Sequence, residues 1–175
     1  MTHSENIQAI IGLGNPGKKY HHNRHNIGFR IVDALVAQHH GSWRTKDHME
    51  YANITINGKP VLVVKPTTFM NDSGKVIPVL LKQGIKPDHI MVVHDELELP
   101  FGQIKAKKGG SAKGHNGLKS IIAACGDAFN RLRFGIGRPE NREDVPTYVL
   151  ENFDSLEELE SLIEKALDVI IDYFS

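Results

Sequence analysis

IIGLGNPGKKYHHNRHNIGF, residues 10–29, starts as an apolar run, turns on Gly12, Gly14 and Gly17, and crosses a polar, histidine-rich tract before apolar periodicity returns at Ile27. A short apolar run closed by glycine reads as a buried strand, so the segment is a strand, a loop and the start of a helix. The glycines have the spacing of a dinucleotide-binding loop. That motif works when its third glycine lies in the first turn of a helix, and when an acid follows a second strand about 20 residues on. Here Gly17 precedes Lys18, Lys19, Tyr20, His21 and His22, and the only acid at that distance, Asp33, falls inside the helix pattern. The context argues against a pyrophosphate cradle. A tight turn explains the glycines, but it leaves the density of Asn15, Tyr20, Asn23, Arg24, His25 and Asn26 unexplained.

A chain of 175 residues is long enough for one core and short for two ordinary domains, so a single domain over 1–175 is expected. With 40% apolar and 24% charged residues, neither a disordered nor a fibrous chain is indicated. No cationic and apolar leader opens the sequence, and no apolar run approaches the roughly 18 residues of a membrane span. A cytoplasmic protein is expected. Cys125, the lone cysteine, excludes an intramolecular disulfide and a cysteine-based zinc site. The formal net charge of zero hides an asymmetry. Residues 99–126 carry Lys105, Lys107, Lys108, Lys113 and Lys119 and no acid, whereas 151–175 carry eight acids against Lys165. A local basic surface can hold a polyanion on a neutral protein, because screening limits each patch to about 8–10 Å.

Working outward, 26–40 places Ile27, Ile31, Val32, Leu35 and Val36 on one helical stripe, with Gly41 as the stop. Residues 51–56 alternate, Asn57-Gly58 signals a two-residue type I′ turn, and 60–64 answers as the second strand of a hairpin. Ser73 is positioned to cap a helix ending near Gly84, although Pro78 requires that helix to start later or to bend. A second buried strand spans 90–93 and ends at His94-Asp95-Glu96. Alternation at 102–107, a helix from 116 to 125, a strand at 132–136 and an amphipathic C-terminal helix at about 155–173, capped by Ser155 and Glu158, complete the chain. Strands interleaved with helices and one hairpin predict an α/β sandwich: a twisted mixed β-sheet flanked by helices.

The common catalytic signatures are missing. Gly109-Gly110-Ser111-Ala112-Lys113 lacks the final glycine of a nucleophile elbow, and no phosphate loop ending in Gly-Lys-Ser/Thr occurs. His21 with His25, or His94 with Asp95, could ligate a metal, but no HExxH pattern supports a site, so neither metal nor cofactor is expected. What remains is acid–base chemistry. A histidine can take a proton from water near neutral pH, with a carboxylate fixing its tautomer. His25 and Asp95 both fall beyond strands where α/β sheets open their crevices, and if those strands are neighbours the two can meet. Spacing alone favours the plainer readings, His25 as a helix-start residue and Asp95 as a turn or cap. Phe69-Met70-Asn71 reads as an exposed turn with two apolar side chains beside an amide. Gly114-His115-Asn116-Gly117 offers backbone N–H groups at a helix start, where a phosphate or carbonyl can bind.

Together, GLGNPGKKY with RHNIGF at 12–29, KPTTFMNDSG at 65–74, HDELELPFG at 94–102, GHNGLKSI at 114–121 and RLRFGIGRP at 131–139 resemble bacterial peptidyl-tRNA hydrolases, in order and over about residues 7–150. The resemblance implies hydrolysis of the ester between a peptide and the 3′-terminal ribose of tRNA, which recycles tRNA after stalled translation. It implies no cofactor, no obligate protein partner and a monomer. It casts His25 as the base that activates water, Asp95 as its orienting carboxylate, and Asn15 as the amide that recognises the peptide beside the ester. Asn71, Asn116 and His115 then bind substrate, Tyr20, Phe69 and Met70 line the cleft, and Lys107 and Arg133 clamp the 5′ phosphate of the tRNA. Two positions depart from the family pattern: Asn23 replaces a usual threonine, and Lys113 stands where glycine is common. A non-catalytic RNA-binding module on the same fold and a metal-dependent hydrolase are the competing readings.

Overall fold

The computed structural model describes residues 6–175. The first five residues, including any leader there, lie outside the described part. The strands are β1 (Ala9–Gly12), β2 (Arg44–Lys46), β3 (Met49–Ile56), β4 (Lys59–Pro66), β5 (Ile90–Glu96), β6 (Ile104–Lys108) and β7 (Asn130–Gly135). The helices are α1 (Ile27–Gln38), α2 (Ile77–Lys82), α3 (Asn116–Cys125), α4 (Val145–Tyr148) and α5 (Leu156–Asp172). All seven strands form one mixed sheet in the order β2-β3-β4-β1-β5-β7-β6. β1, β4, β5 and β7 run parallel, and antiparallel pairs extend both edges. The α/β sandwich expected from the sequence is the fold observed.

Alternate residues of the central strands feed two apolar cores. Ile10, Met91 and Val93 face α1 and α5; Ala9, Ile11, Ile90 and Val92 face α2 and α3. A strand buried on both faces is apolar throughout, which is why 9–13 and 90–93 read as unbroken runs. The 57–58 turn has φ of 49° at Asn57 and 81° at Gly58, the two left-handed residues that a type I′ turn requires.

Two local expectations change, and one strand was not foreseen. Ser73 caps no helix: residues 70–76 form a 3₁₀ turn in which Ser73 Oγ donates to the Met70 carbonyl at 2.8 Å. The α-helix starts four residues later with Pro78 in its first turn, where a missing N–H costs nothing. The short strand β2 carries no alternating apolar signal, because all three of its residues are exposed on the sheet edge. Asp95 lies inside β5 rather than past its end, since the 90–93 strand continues in register with β7 to Glu96.

The topology places the crevice. From β1 the chain reaches β4 on one side, then returns to β5 on the other, so the connections diverge at the carboxyl end of β1. Ligands bind at such switch points in open α/β sheets. Gly12 pairs with Val93 across that end. A Cβ on Gly12 would lie 2.4 Å from the Gly28 carbonyl, and one on Gly28 would lie 2.4 Å from the Val93 carbonyl. These two glycines press the start of α1 onto the ends of β1 and β5.

Candidate active site

Close packing of α1 carries the polar tract ahead of it over the end of β5. There His25 Nδ1 meets Asp95 Oδ2 at 2.9 Å. The other carboxylate oxygen, Oδ1, lies 2.8 Å from His115 Nε2. His115 is also the N-cap of α3, and its Nδ1 accepts the N–H groups of Gly117 and Leu118 at 3.1 and 3.2 Å. With Nδ1 accepting, the hydrogen of this ring is on Nε2, so His115 donates to Asp95. A carboxylate only accepts, so His25 donates through Nδ1 and keeps Nε2 as its basic atom.

Burial opposes ionisation of Asp95, but the charges and hydrogen bonds of His25 and His115 hold it well below the usual carboxylate range. Burial likewise disfavours the His25 imidazolium, and the Asp95 carboxylate reverses this and raises His25 above its ordinary 6.5. The result is a permanent anion beneath a tautomer-locked histidine. His94 adds a third ring. Burial, reinforced by His115, pushes it down to about 3, so it is neutral, and the His115 ring packs 5.3 Å from it. Its Nδ1 donates to the Asp95 carbonyl at 2.8 Å.

Asn15, buried to 8% exposure, is fixed from three directions. Its N–H donates to Asn26 Oδ1 and its carbonyl accepts from Asn26 Nδ2, both at 2.9 Å. Its side-chain oxygen accepts the Met70 N–H at 2.7 Å. The amide orientation is thereby set, and among the described residues nothing accepts from its Nδ2. The NH₂ group is available to a substrate carbonyl.

The polar tract is also joined to the segment around α4. His25 N–H donates to the Val149 carbonyl at 2.8 Å and Arg24 N–H to the Glu151 carbonyl at 3.0 Å. The Arg24 guanidinium stacks 4.0 Å above the Tyr148 ring, and Asn23 Nδ2 donates to Asn152 Oδ1 at 2.9 Å. Asn23, a departure from the family pattern, thus has a structural partner.

Of the expected residues, His25, Asp95, His115 and Asn116 line one cleft, whereas Asn15 lines a separate pocket together with Asn26. Asn71 and Asn116 are exposed. Tyr20 meets Phe69 edge-on at 6.3 Å, and Phe69 is 56% exposed. Met70, expected to be exposed and to line the cleft, is instead buried to 4%, and it contributes its backbone N–H to Asn15. His115, expected to bind substrate, spends both ring nitrogens on the fold. Lys107 and Arg133 do not line the His25 cleft. They share one face of the β6–β7 edge, where Lys105 lies opposite Arg133 and Lys107 opposite Arg131. Sequence reading missed Arg131, whose guanidinium donates to the Ser111 carbonyl at 2.7 Å and to that of Gly110, holding the loop before α3. Its position one strand pitch from Arg133 was the available signal.

His25, Asp95 and His115 have ligand-type atoms within 4.8 Å of one another. The two nitrogens lie 2.9 and 2.8 Å from the carboxylate oxygens, closer than two ligands about 2.0–2.1 Å from a tetrahedral zinc would stand from each other. The spacing is that of two donors on one acceptor.

The family model for peptidyl-tRNA hydrolase matches residues 9–175. A Rickettsia bellii peptidyl-tRNA hydrolase is 48% identical over 97% of this chain and 92% of its own length. One from Rickettsia africae is 45% identical over 94% and 90%. The crystal structure of peptidyl-tRNA hydrolase from Acinetobacter baumannii superimposes with a TM-score of 0.88 at 37% identity, covering 98% of this chain and 88% of that one. A purine nucleoside phosphorylase from Toxoplasma gondii, with a TM-score of 0.60 at 10% identity, shares the fold alone.

Proposed function

The chain belongs to the peptidyl-tRNA hydrolase family and hydrolyses peptidyl-tRNA, and we propose that His25 Nε2 is the base that takes the proton from the attacking water. The observation that supports this is the Asp95 carboxylate fixed between two donors, which leaves one basic nitrogen facing the cleft. Water adds to the ester carbonyl as His25 removes its proton. The negative charge moves to the carbonyl oxygen, toward which Asn15 Nδ2 donates. Collapse expels the ribose oxygen, which takes the proton from His25, leaving the peptide acid and free tRNA. A ribose oxygen is a good enough leaving group that no covalent serine intermediate is needed, and a positioned base contributes about 10²–10⁴ in rate.

Asn71 and Asn116 read the peptide backbone, with Tyr20 and Phe69 forming the apolar wall beside them. An amide that pairs with a peptide carbonyl is left unpaired by aminoacyl-tRNA, which gives strong discrimination against that substrate. Lys107 and Arg133 hold the 5′ phosphate of the tRNA in a salt-dependent, sequence-tolerant way. The protein works as a cytoplasmic monomer without metal or obligate partner; among the described residues no helix is long and apolar enough to cross a membrane.

Replacing His25 with Ala is the decisive experiment. Turnover of an N-acetylaminoacyl-tRNA is expected to fall by about 10²–10⁴ while tRNA binding persists. Full turnover in this variant refutes the assignment, and activity lost to a chelator restores the metal-dependent reading.

A further inference from the structure

The cleft of about 340 Å³ that holds His25 and Asp95 is also lined by Lys113, Arg138 and Arg142, and the chemistry above uses none of them. The backbone leading into Arg138 is fixed. Ile136 N–H donates to the Glu96 carbonyl at 3.0 Å and Gly137 N–H to the Leu99 carbonyl at 2.9 Å, which zips the end of β7 to the turn after β5. Arg138 follows directly and pairs its guanidinium with the Glu98 carboxylate. That hydrogen bond, with the charges of Arg138 and Lys113, holds Glu98 below its ordinary range, so Lys113 belongs to the same electrostatic cluster. Besides Asp95, the acid lining the cleft is Glu96, and its Oε2 accepts the Glu98 N–H at 3.3 Å.

The substrate dictates what this cluster meets. The scissile ester sits on the terminal ribose, and the 5′ carbon of that same ribose carries the phosphodiester to the preceding nucleotide. With the ester at His25, that phosphate is one ribose away, within reach of the side chains that line the same cleft. Lys107 and Arg133 line another surface and cannot serve it. We infer that Lys113 and Arg138 form a subsite for the phosphodiester of the 3′-terminal nucleotide, with the Glu98 carboxylate occupying Arg138 until the phosphate displaces it. This rests on the reading of His25 as the base. A guanidinium fork fits carboxylate and phosphate alike, so exchange of one anion for the other needs no rearrangement of the arginine.

The test is competition with peptidyl-tRNA hydrolysis by the dinucleotide CpA and by its uncharged methylphosphonate analogue. The wild-type protein is expected to prefer CpA about tenfold, the worth of one charge-assisted contact. R138A and K113A should each lose most of that preference, R138K should keep part of it, and E98Q should bind CpA more tightly by removing the rival anion. Equal inhibition by the two dinucleotides, inhibition by neither, or a preference that survives in the R138A/K113A double variant overturns the subsite. H25A separates the two ideas. Lost turnover together with equal binding of the dinucleotides keeps the base and removes the subsite, whereas retained turnover removes the base.

Discussion

The loop after β1 and the loop before α3 each carry an asparagine expected to meet the substrate, and they are built in opposite ways. Asn15 is buried, its backbone and side-chain oxygen bonded to Asn26 and Met70. Asn116 is exposed, and the loop before it turns through Gly109, Gly110, Lys113 and Gly114, all at positive φ. That second loop is held at its ends, by Arg131 on the Gly110 and Ser111 carbonyls and by the His115 cap. A buried polar network has few alternative arrangements, because every unpaired group in it is costly. Such a network suits the atoms that must be placed for chemistry. An exposed cationic loop suits a phosphate backbone, which asks for charge more than for one exact position.

Breaking the buried side should have the larger effects. Asp95→Asn is expected to lower kcat by about 10²-fold or more and to change the pH profile. In the wild type, kcat/KM should rise as His25 loses its proton, with a midpoint above 6.5 because Asp95 raises it. Without the carboxylate, burial alone acts on His25, so the midpoint must move down. An unmoved midpoint would detach Asp95 from His25. Asn26→Ala leaves the Asn15 N–H and carbonyl unpaired, and it should cost about 1–3 kcal/mol in denaturant unfolding along with part of kcat. Unchanged stability would mean that the first loop is not held as described.

The other side sharpens the contrast. His115→Asn keeps a good N-cap but is too short to reach Asp95. Stability should therefore stay near that of the wild type while kcat falls about tenfold, the worth of a hydrogen bond to a charged group. If kcat and stability fall together, His115 is only a structural cap. The smallest changes belong to Lys107→Ala and Arg133→Ala. Each should reduce the slope of log binding constant against log salt by about 1; a slope that stays the same places the tRNA elsewhere.

Much of this was legible in the sequence because it depends on local periodicity and turn chemistry. The apolar runs that open β1 and β5, the Asn57-Gly58 turn and the Ser155 cap of α5 follow from rules that act over a few residues. β2 and α4 did not, since an exposed edge strand and a four-residue helix carry no periodic signal. Ser73 misled because a serine before an apolar run resembles a cap, while Pro78 favours a start nearer itself. Met70 misled for a related reason: sequence cannot say which of two adjacent apolar residues in a turn faces the core. His94 gave no hint of its neutral state, which comes first from its burial and then from His115, 21 residues away.

By itself, the sequence determined the strand–loop–helix order, the α/β class and the residues equipped for acid–base and amide chemistry. Their meeting was decided by tertiary structure. Strand order made β1 and β5 neighbours, and the close contact of Gly12 with Gly28 lowered α1 onto them. Only then do His25, Asp95 and His115, separated by 70 and 20 residues, share one carboxylate. The glycines of the opening stretch provide room for that approach. A tautomer, a displaced pKa and an oriented amide are properties of surroundings, and the surroundings come from segments far apart in the chain.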